Sequence, residues 1–310
     1  MANYIAYFNG NWVPSDEIRI DRRDRGFRTA DVVFDSLRTY NGELFRLDEH
    51  IGRLYRSLAY ARIDPDLTKN EMSAILQETV DRNADILKND GDFQMYVFIT
   101  RGAGMWANDT GPATVGVEAY QIPFHRYAPY IDNGSHGAIA KTRSYSHQSV
   151  DPKIKHQARM NFNLAELEAK DIDPESFPIL LDVDGNLTEG TINSVFLVTN
   201  GVIRTPTDET VLQSVSRSVV FELANQLGIP YSEEKLQPYD LYTADEAFLS
   251  FTGPGVLPMT IVDKQKISDG EPGPISKQLL AAWGEMVGID IADQAKKFAR
   301  HTDERYQTKI

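Results

Sequence analysis

Apolar and polar residues alternate over positions 4–13 around Asn9-Gly10, a pair that adopts the positive φ of a tight turn, so the chain is expected to open on a β-hairpin. Val32–Tyr40 reads as a longer strand that Asn41-Gly42 turns back into residues 43–47. Asp48 has the character of an N-cap, and Ile51, Leu54, Tyr55, Leu58 and Ala59 then recur at helical spacing until Asp64-Pro65. A second helix is predicted over 68–87, with Met72, Ile75, Leu76, Thr79 and Val80 on one stripe. Strands follow at Phe93–Thr100 and Thr114–Gln121. Strands, two helices and strands again describe a small α+β domain over residues 1–122. The proline- and aromatic-rich stretch 123–130 reads as an interdomain linker.

The second half carries its own pattern. Residues 137–142 are strand-like, and Phe162, Leu164, Ala165, Leu167, Glu168 and Ala169 lie on a helix that ends near Asp171-Ile172-Asp173-Pro174. The unbroken apolar run 177–183 fits a buried strand, Asp184-Gly185 turns it, and 195–198 resumes extended structure before Asn200-Gly201. Ser214 or Ser216 can cap a helix that runs to Leu227 and closes on Gly228. Glu246–Phe251 is a strand ending in Thr252-Gly253-Pro254-Gly255, 256–262 is another, and Pro274–Val287 is a last helix. A large domain over 131–291 is expected, followed by a polar tail, 292–310, without apolar period.

Composition narrows the function. With 310 residues the chain exceeds the usual single core, in agreement with two domains. A balance of 32 basic against 45 acidic residues, formally −13, disfavours nucleic acid and anionic membranes as partners. Cysteine is absent, which removes disulfides and thiolate chemistry. No basic leader precedes an apolar run and no stretch approaches the ~20 apolar residues of a membrane span, so the cytoplasm is the expected location. Phosphate-loop, dinucleotide, zinc-protease and serine-elbow motifs are missing, and the six histidines show no metal-ligand spacing. Arg53 has a planar guanidinium suited to phosphate, although helical periodicity alone places it on a solvated face. Arg101-Gly102 could bend a loop over a site or simply turn the chain.

A series of short motifs occurs in one order: Phe8-Asn9-Gly10, Asp24-Arg25-Gly26-Phe27, Phe34-Asp35-Ser36-Leu37-Arg38, Glu49-His50-Ile51-Gly52-Arg53-Leu54, Thr100-Arg101-Gly102, Pro152-Lys153-Ile154-Lys155, Thr188-Glu189-Gly190, Ser214-Val215-Ser216-Arg217 and Ser250-Phe251-Thr252-Gly253. The chain thereby resembles the class IV pyridoxal-phosphate aminotransferases, over nearly its whole length. The resemblance implies the two-domain fold of D-amino-acid aminotransferases, with a small α+β domain and a larger barrel-like one. It implies pyridoxal 5'-phosphate held as a Schiff base on Lys155, with Lys153 as the competing lysine. Glu189 then pairs with the ring nitrogen, and Arg53, the amides of Val215 and Ser216, and Thr252 hold the phosphate.

The substrate side departs from the family pattern. The branched-chain enzymes' Tyr-x-Arg is Gln94-Met95-Tyr96 here, the D-amino-acid enzymes' Arg-x-His is missing from 105–108, and Pro254 has no N–H to offer a carboxylate. Phe34, Arg38, Tyr96, Arg101 and Gly253 are the substrate candidates. The function implied is a ping-pong transfer from an amino acid, foremost a branched-chain L-amino acid, to a 2-oxo acid. A D-amino-acid or (R)-amine transaminase, an aminodeoxychorismate-type lyase and a non-catalytic cofactor-binding protein are the alternatives. The resemblance also implies a homodimer with its sites near the subunit interface.

Overall fold

The computed structural model describes residues 4–299. They divide into two compact units, one of residues up to Ile122 joined by Ile154–Ala158, the other of Pro123–Lys153 with the residues from Arg159 onward.

The first unit is built on β1 (Ile5–Phe8), β2 (Asn11–Pro14), β3 (Val32–Tyr40), β4 (Glu43–Leu44), β5 (Phe93–Thr100) and β8 (Thr114–Gln121), with a hairpin of β6 (Gly104–Trp106) and β7 (Asp109–Thr110) beside them. The sheet order is β2-β1-β8-β5-β3-β4, antiparallel throughout. Its helices are α1 (Arg25–Thr29), α2 (Leu47–Ala61), α3 (Lys69–Arg82) and α4 (Ala84–Asp90). The two-residue period of the strands puts Val33, Leu37, Met95, Val97, Ile99, Val115 and Val117 on one face. There Ile51, Leu54 and Leu58 of α2 and Met72, Leu76 and Val80 of α3 bury them in one core.

Two helix boundaries differ from the sequence reading. Leu47 begins α2 after Arg46 in a left-handed conformation, so Asp48 lies in the first turn, where its charge complements the helix dipole, rather than at the cap. The single helix expected over 68–87 begins with the Thr68–Glu71 capping box but breaks at Asn83. The Asn83 side chain accepts from the Ile5 N–H at 2.9 Å and donates to the Ile5 carbonyl at 2.8 Å, tying the helix end to β1. Asn83→Ala leaves both Ile5 groups short of a partner, and a loss of about 1–3 kcal/mol is expected in urea unfolding.

The second unit holds β9 (Ser135–Ile139), β10 (Ser176–Ile179), β11 (Ser194–Thr199), β12 (Val202–Pro206), β13 (Tyr231–Glu234), β14 (Glu246–Phe251), β15 (Gly255–Val262) and β16 (Gln265–Lys266). Their order is β10-β9-β15-β14-β11-β12-β13, with β16 on β15. The helices are α5 (Ala128–Asn133), α6 (Met160–Ile172), α7 (Val215–Leu227), α8 (Pro238–Tyr242), α9 (Pro274–Val287) and α10 (Ile291–Phe298). The apolar run 177–183 is a regular strand only to Ile179. Beyond it Leu180 exchanges hydrogen bonds with Thr188 and Glu189, Glu189 bridges to Ser194 at the start of β11, and the Leu187 N–H reaches the Leu236 carbonyl. This hairpin carries the β10 edge round to β11, which gives the sheet its barrel-like curl.

The stretch 123–130 is folded rather than a linker. Phe124 is buried and its ring lies 6.0 Å from Tyr127 and 6.2 Å from Phe298. The expected polar tail is likewise helical up to Phe298, because Ile291 and Ala295 supply the buried face that the charge-rich composition masks. Its remainder, 300–310, lies outside the described residues.

Candidate active site

In the first unit the segment Ile154–Ala158 is stitched along β3. The Phe34 N–H donates to the Lys155 carbonyl at 3.0 Å, the Gln157 N–H donates to the Val32 carbonyl at 3.1 Å, and His156 bridges Val33. The Lys155 N–H donates to Ser57 Oγ on α2 at 3.1 Å. Two elements therefore fix the lysine backbone, and its Nζ stands 4.6 Å from the centre of the Phe34 ring. Lys153 is half-exposed and pairs with Asp151 at 3.4 Å, so its amino group is held at the surface.

One face of α2 repeats His50, Arg53 and Ser57, three and four residues apart, beside the apolar stripe of Ile51, Leu54 and Leu58. Arg53 is buried, not solvated. Its Nε and Nη2 donate to the two oxygens of Asp35 at 2.9 and 2.8 Å, and His50 Nδ1 lies 2.8 Å from the same carboxylate. Burial alone raises the Asp35 pKa, but the Arg53 and His50 charges outweigh it and hold the carboxyl well below the usual range. Burial pushes the His50 pKa down, against the pull of Asp35. Sequence reasoning assigns no role to Asp35, His50 or Ser57. The available signal is a carboxylate between Val33 and Leu37 on the core face of β3, opposite a helix with cationic residues on its apolar stripe.

The second unit positions Glu189. The carboxylate is buried and accepts the Leu212 N–H at 3.2 Å. Two residues later Ser214 caps α7 by accepting the Arg217 N–H at 3.3 Å. The first-turn amides of Val215 and Ser216 have no acceptor inside a helix and carry the positive end of its dipole. Ser250 pairs with Ser194, so Thr252, just past β14, lies at the same end of the ladder as Glu189. Gly253 is required by packing, since a Cβ there would come within 2.5 Å of the Tyr127 hydroxyl. Arg159 donates to the Thr191 carbonyl and covers the Phe162 ring at 4.3 Å, and Tyr145 packs on the same ring at 5.2 Å. Burial pushes the Tyr145 phenol up, with Arg159 opposing and Glu189 adding to the shift, so both charges act on it. Spacing gives no hint of Tyr145 or Arg159 at this place.

Of the substrate candidates, Phe34 and Tyr96 share one face of the sheet with ring centres 5.5 Å apart, and Gln157 donates to the Tyr96 hydroxyl. A cavity of about 430 Å³ opens beside Tyr96, walled by Ile18, Ile20, Phe27, Val32 and Phe98. The two arginines both make contacts within the fold. Arg38 is fully buried, with its Nε on the Thr39 carbonyl at 3.0 Å and Asp92 4.0 Å away. Arg101 pairs with Asp31 at 2.7 Å and ties the Ala61 and Arg62 carbonyls at the end of α2. Each guanidinium is tied to the fold by these contacts. Burial raises the Asp31 pKa, but Arg101 and Arg25 together bring it below its ordinary value. A depressed carboxylate stabilises the fold above the unfolded pKa of about 4, and that contribution is lost as the pH falls below it. Arg101→Ala is therefore expected to cost about 1–3 kcal/mol in denaturant unfolding at neutral pH, with a smaller difference in acid and no specific rise in substrate KM.

In the second unit a buried carboxylate suits a protonated ring nitrogen and a helix start with a nearby hydroxyl suits a phosphate; in the first unit a lysine suits an aldehyde carbon. Beside Glu189, Ser194 Oγ and the side-chain amide of Asn193 are buried without a partner among the described residues, as befits a place that a polar ligand completes.

Comparison with known proteins identifies an aminotransferase. Residues 32–262 match the family model of class IV aminotransferases, and the chain belongs to that family; the expected cofactor, pyridoxal 5'-phosphate, comes with it. A D-alanine aminotransferase of Bacillus licheniformis is 32% identical over 277 residues, 89% of this chain and 94% of its own. A Methanocaldococcus jannaschii protein, provisionally described as a branched-chain-amino-acid aminotransferase, is 36% identical over 300 residues, 93% and 99% of the two chains. Among solved structures, the T.th. branched-chain amino acid aminotransferase with pyridoxamine 5'-phosphate superposes with a TM-score of 0.85 at 24% identity, covering 96% of this chain and 97% of that one.

Proposed function

We propose that this aminotransferase carries an amino group from a branched-chain L-amino acid to a 2-oxo acid in two half-reactions, with Lys155 as its catalytic residue. The observation that carries the reading is the double clamp on Lys155, by β3 through the Phe34 amide and by α2 through Ser57, with Arg53 one turn earlier on the same helix. Pyridoxal phosphate supplies, when bound, an electron sink that stabilises negative charge on the substrate carbon. Lys155 Nζ removes the proton from that carbon and returns it one position away, a task for a mobile amine rather than a fixed guanidinium. Glu189, oriented by the Leu212 amide, holds positive charge at the ring nitrogen. Arg53, the Val215 and Ser216 amides and Thr252 anchor the phosphate.

The donor class is supported by the cavity of the first unit. Ile18, Ile20, Phe27, Val32 and Phe98 line one side of about 430 Å³ whose rim also carries Arg22, Glu118 and Gln157, room for a branched apolar side chain rather than a methyl group alone. We also propose a homodimer, with the charge of −13 weighing against membranes and nucleic acids as partners. Among the described residues no helix is long and apolar enough to cross a membrane. Initial rates with L-leucine, D-alanine and (R)-1-phenylethylamine, each paired with 2-oxoglutarate, test the donor assignment. L-leucine should give the highest kcat/KM. A preference for D-alanine would replace the donor, and pyruvate release from aminodeoxychorismate without an acceptor would replace the reaction class.

A further inference from the structure

We infer that Asp35 is a positioning residue for the cofactor phosphate, acting through Arg53. Asp35 lies on the face of β3 that α2 covers, between Val33 and Leu37, and is only 1% exposed. Its two oxygens take both the Nε and Nη2 edges of Arg53, at 2.9 and 2.8 Å. A two-point contact of this kind fixes the plane of the guanidinium as well as its place. From the other side His50 Nδ1 holds Oδ1 at 2.8 Å and lies 3.3 Å from Arg53 Nη2, so the carboxylate cannot turn away either. Helix α2 thus carries a pre-aimed arginine, and one turn on the same helix receives the Lys155 N–H.

Two opposite consequences of the carboxylate must be weighed. Its negative charge partly cancels Arg53 and, taken alone, weakens attraction for a phosphate dianion. Its geometry holds the guanidinium ready, which strengthens phosphate binding by removing an ordering cost. Burial strengthens both effects, and the comparison of pyridoxal phosphate with pyridoxal below measures which is larger. An asparagine at position 35 offers one acceptor in place of two and turns an N–H toward the guanidinium, which must then rotate to find another partner.

The inference rests on Arg53 holding the phosphate, as proposed above, and the test separates the two. Affinities of the cofactor-stripped full chain for pyridoxal phosphate and for pyridoxal, which lacks the phosphate, are measured by tryptophan fluorescence. Asp35→Asn should weaken pyridoxal phosphate about 10- to 100-fold, by analogy with the loss when groups that orient metal ligands are removed, and leave pyridoxal within about twofold. Asp35→Glu, which keeps the charge but displaces the arginine by one methylene, should give an intermediate ratio, and it decides the matter alone if the asparagine variant does not fold. Arg53→Ala is the control and should lose at least as much as Asp35→Asn. Unchanged or tighter pyridoxal phosphate binding in the Asp35 variants would overturn the positioning role, as would equal weakening of both ligands. An unchanged ratio in Arg53→Ala would remove the phosphate assignment itself, and the inference with it.

Discussion

With Lys155 in the proton-transfer role proposed above, Lys155→Ala is expected to lower kcat by at least about 10³-fold with every donor. On the first unit its amine faces the Phe34 ring, which has no titratable group, and Arg53 is tied to Asp35. His50 is buried, and burial biases it toward the neutral form, but its Nδ1 faces Asp35. Lys153 is two residues away in sequence and is held by Asp151. The backbone bonds that fix position 155 use the main chain, so alanine keeps them and the fold should lose less than about 1 kcal/mol. Stopped-flow absorbance with L-leucine measures the half-reaction directly. Activity within tenfold of the parent would assign the chemistry to another group.

Glu189→Gln is expected to cost about 10²-fold in kcat while the protein still binds pyridoxal phosphate. The substitution keeps the side-chain shape and an oxygen that can accept the Leu212 N–H, and replaces a carboxylate with a neutral amide. In the role proposed for Glu189, it removes the negative charge that would keep the ring nitrogen protonated, so negative charge on the substrate carbon would be less well stabilised. Because phosphate and lysine contacts remain, cofactor affinity should fall only a few-fold. Equal kcat in Glu189→Gln and the parent would show that the carboxylate does not face the ring nitrogen. Loss of the Leu212 contact through a misplaced side chain would instead appear as reduced stability, which a thermal melt separates from the catalytic effect.

The elements that alternate or repeat cleanly are legible in the sequence. Strands Val32–Tyr40, Phe93–Thr100, Thr114–Gln121 and Glu246–Phe251 and helix Pro274–Val287 stand where pattern places them. Their patterns are the direct consequence of one buried face, or of burial on both faces. What pattern cannot show are choices made by a single long-range contact. Asn83 ends α3 because Ile5, 78 residues away, takes its side chain. Residues 123–130 are folded because Phe298 lies on Phe124. Motif order names candidate residues, but a guanidinium in a motif says nothing of its counter-ion, so the contacts of Arg38 and Arg101 are not legible. Asp92 and Asp31, with the α2 carbonyls, supply them. Arg53 shows the converse: periodicity assigns it to solvent, yet a buried carboxylate on the facing strand brings it inside.

The most direct test of the central claim is a visible absorption spectrum of the purified protein reconstituted with pyridoxal phosphate, taken before and after adding L-leucine without an acceptor, in the parent and in Lys155→Ala. The parent should turn yellow and bleach with L-leucine, and 2-oxoglutarate should restore the colour. Lys155→Ala should fail to complete that cycle. A parent protein that stays colourless, or whose colour L-leucine never alters while Lys155→Ala behaves identically, would contradict the account.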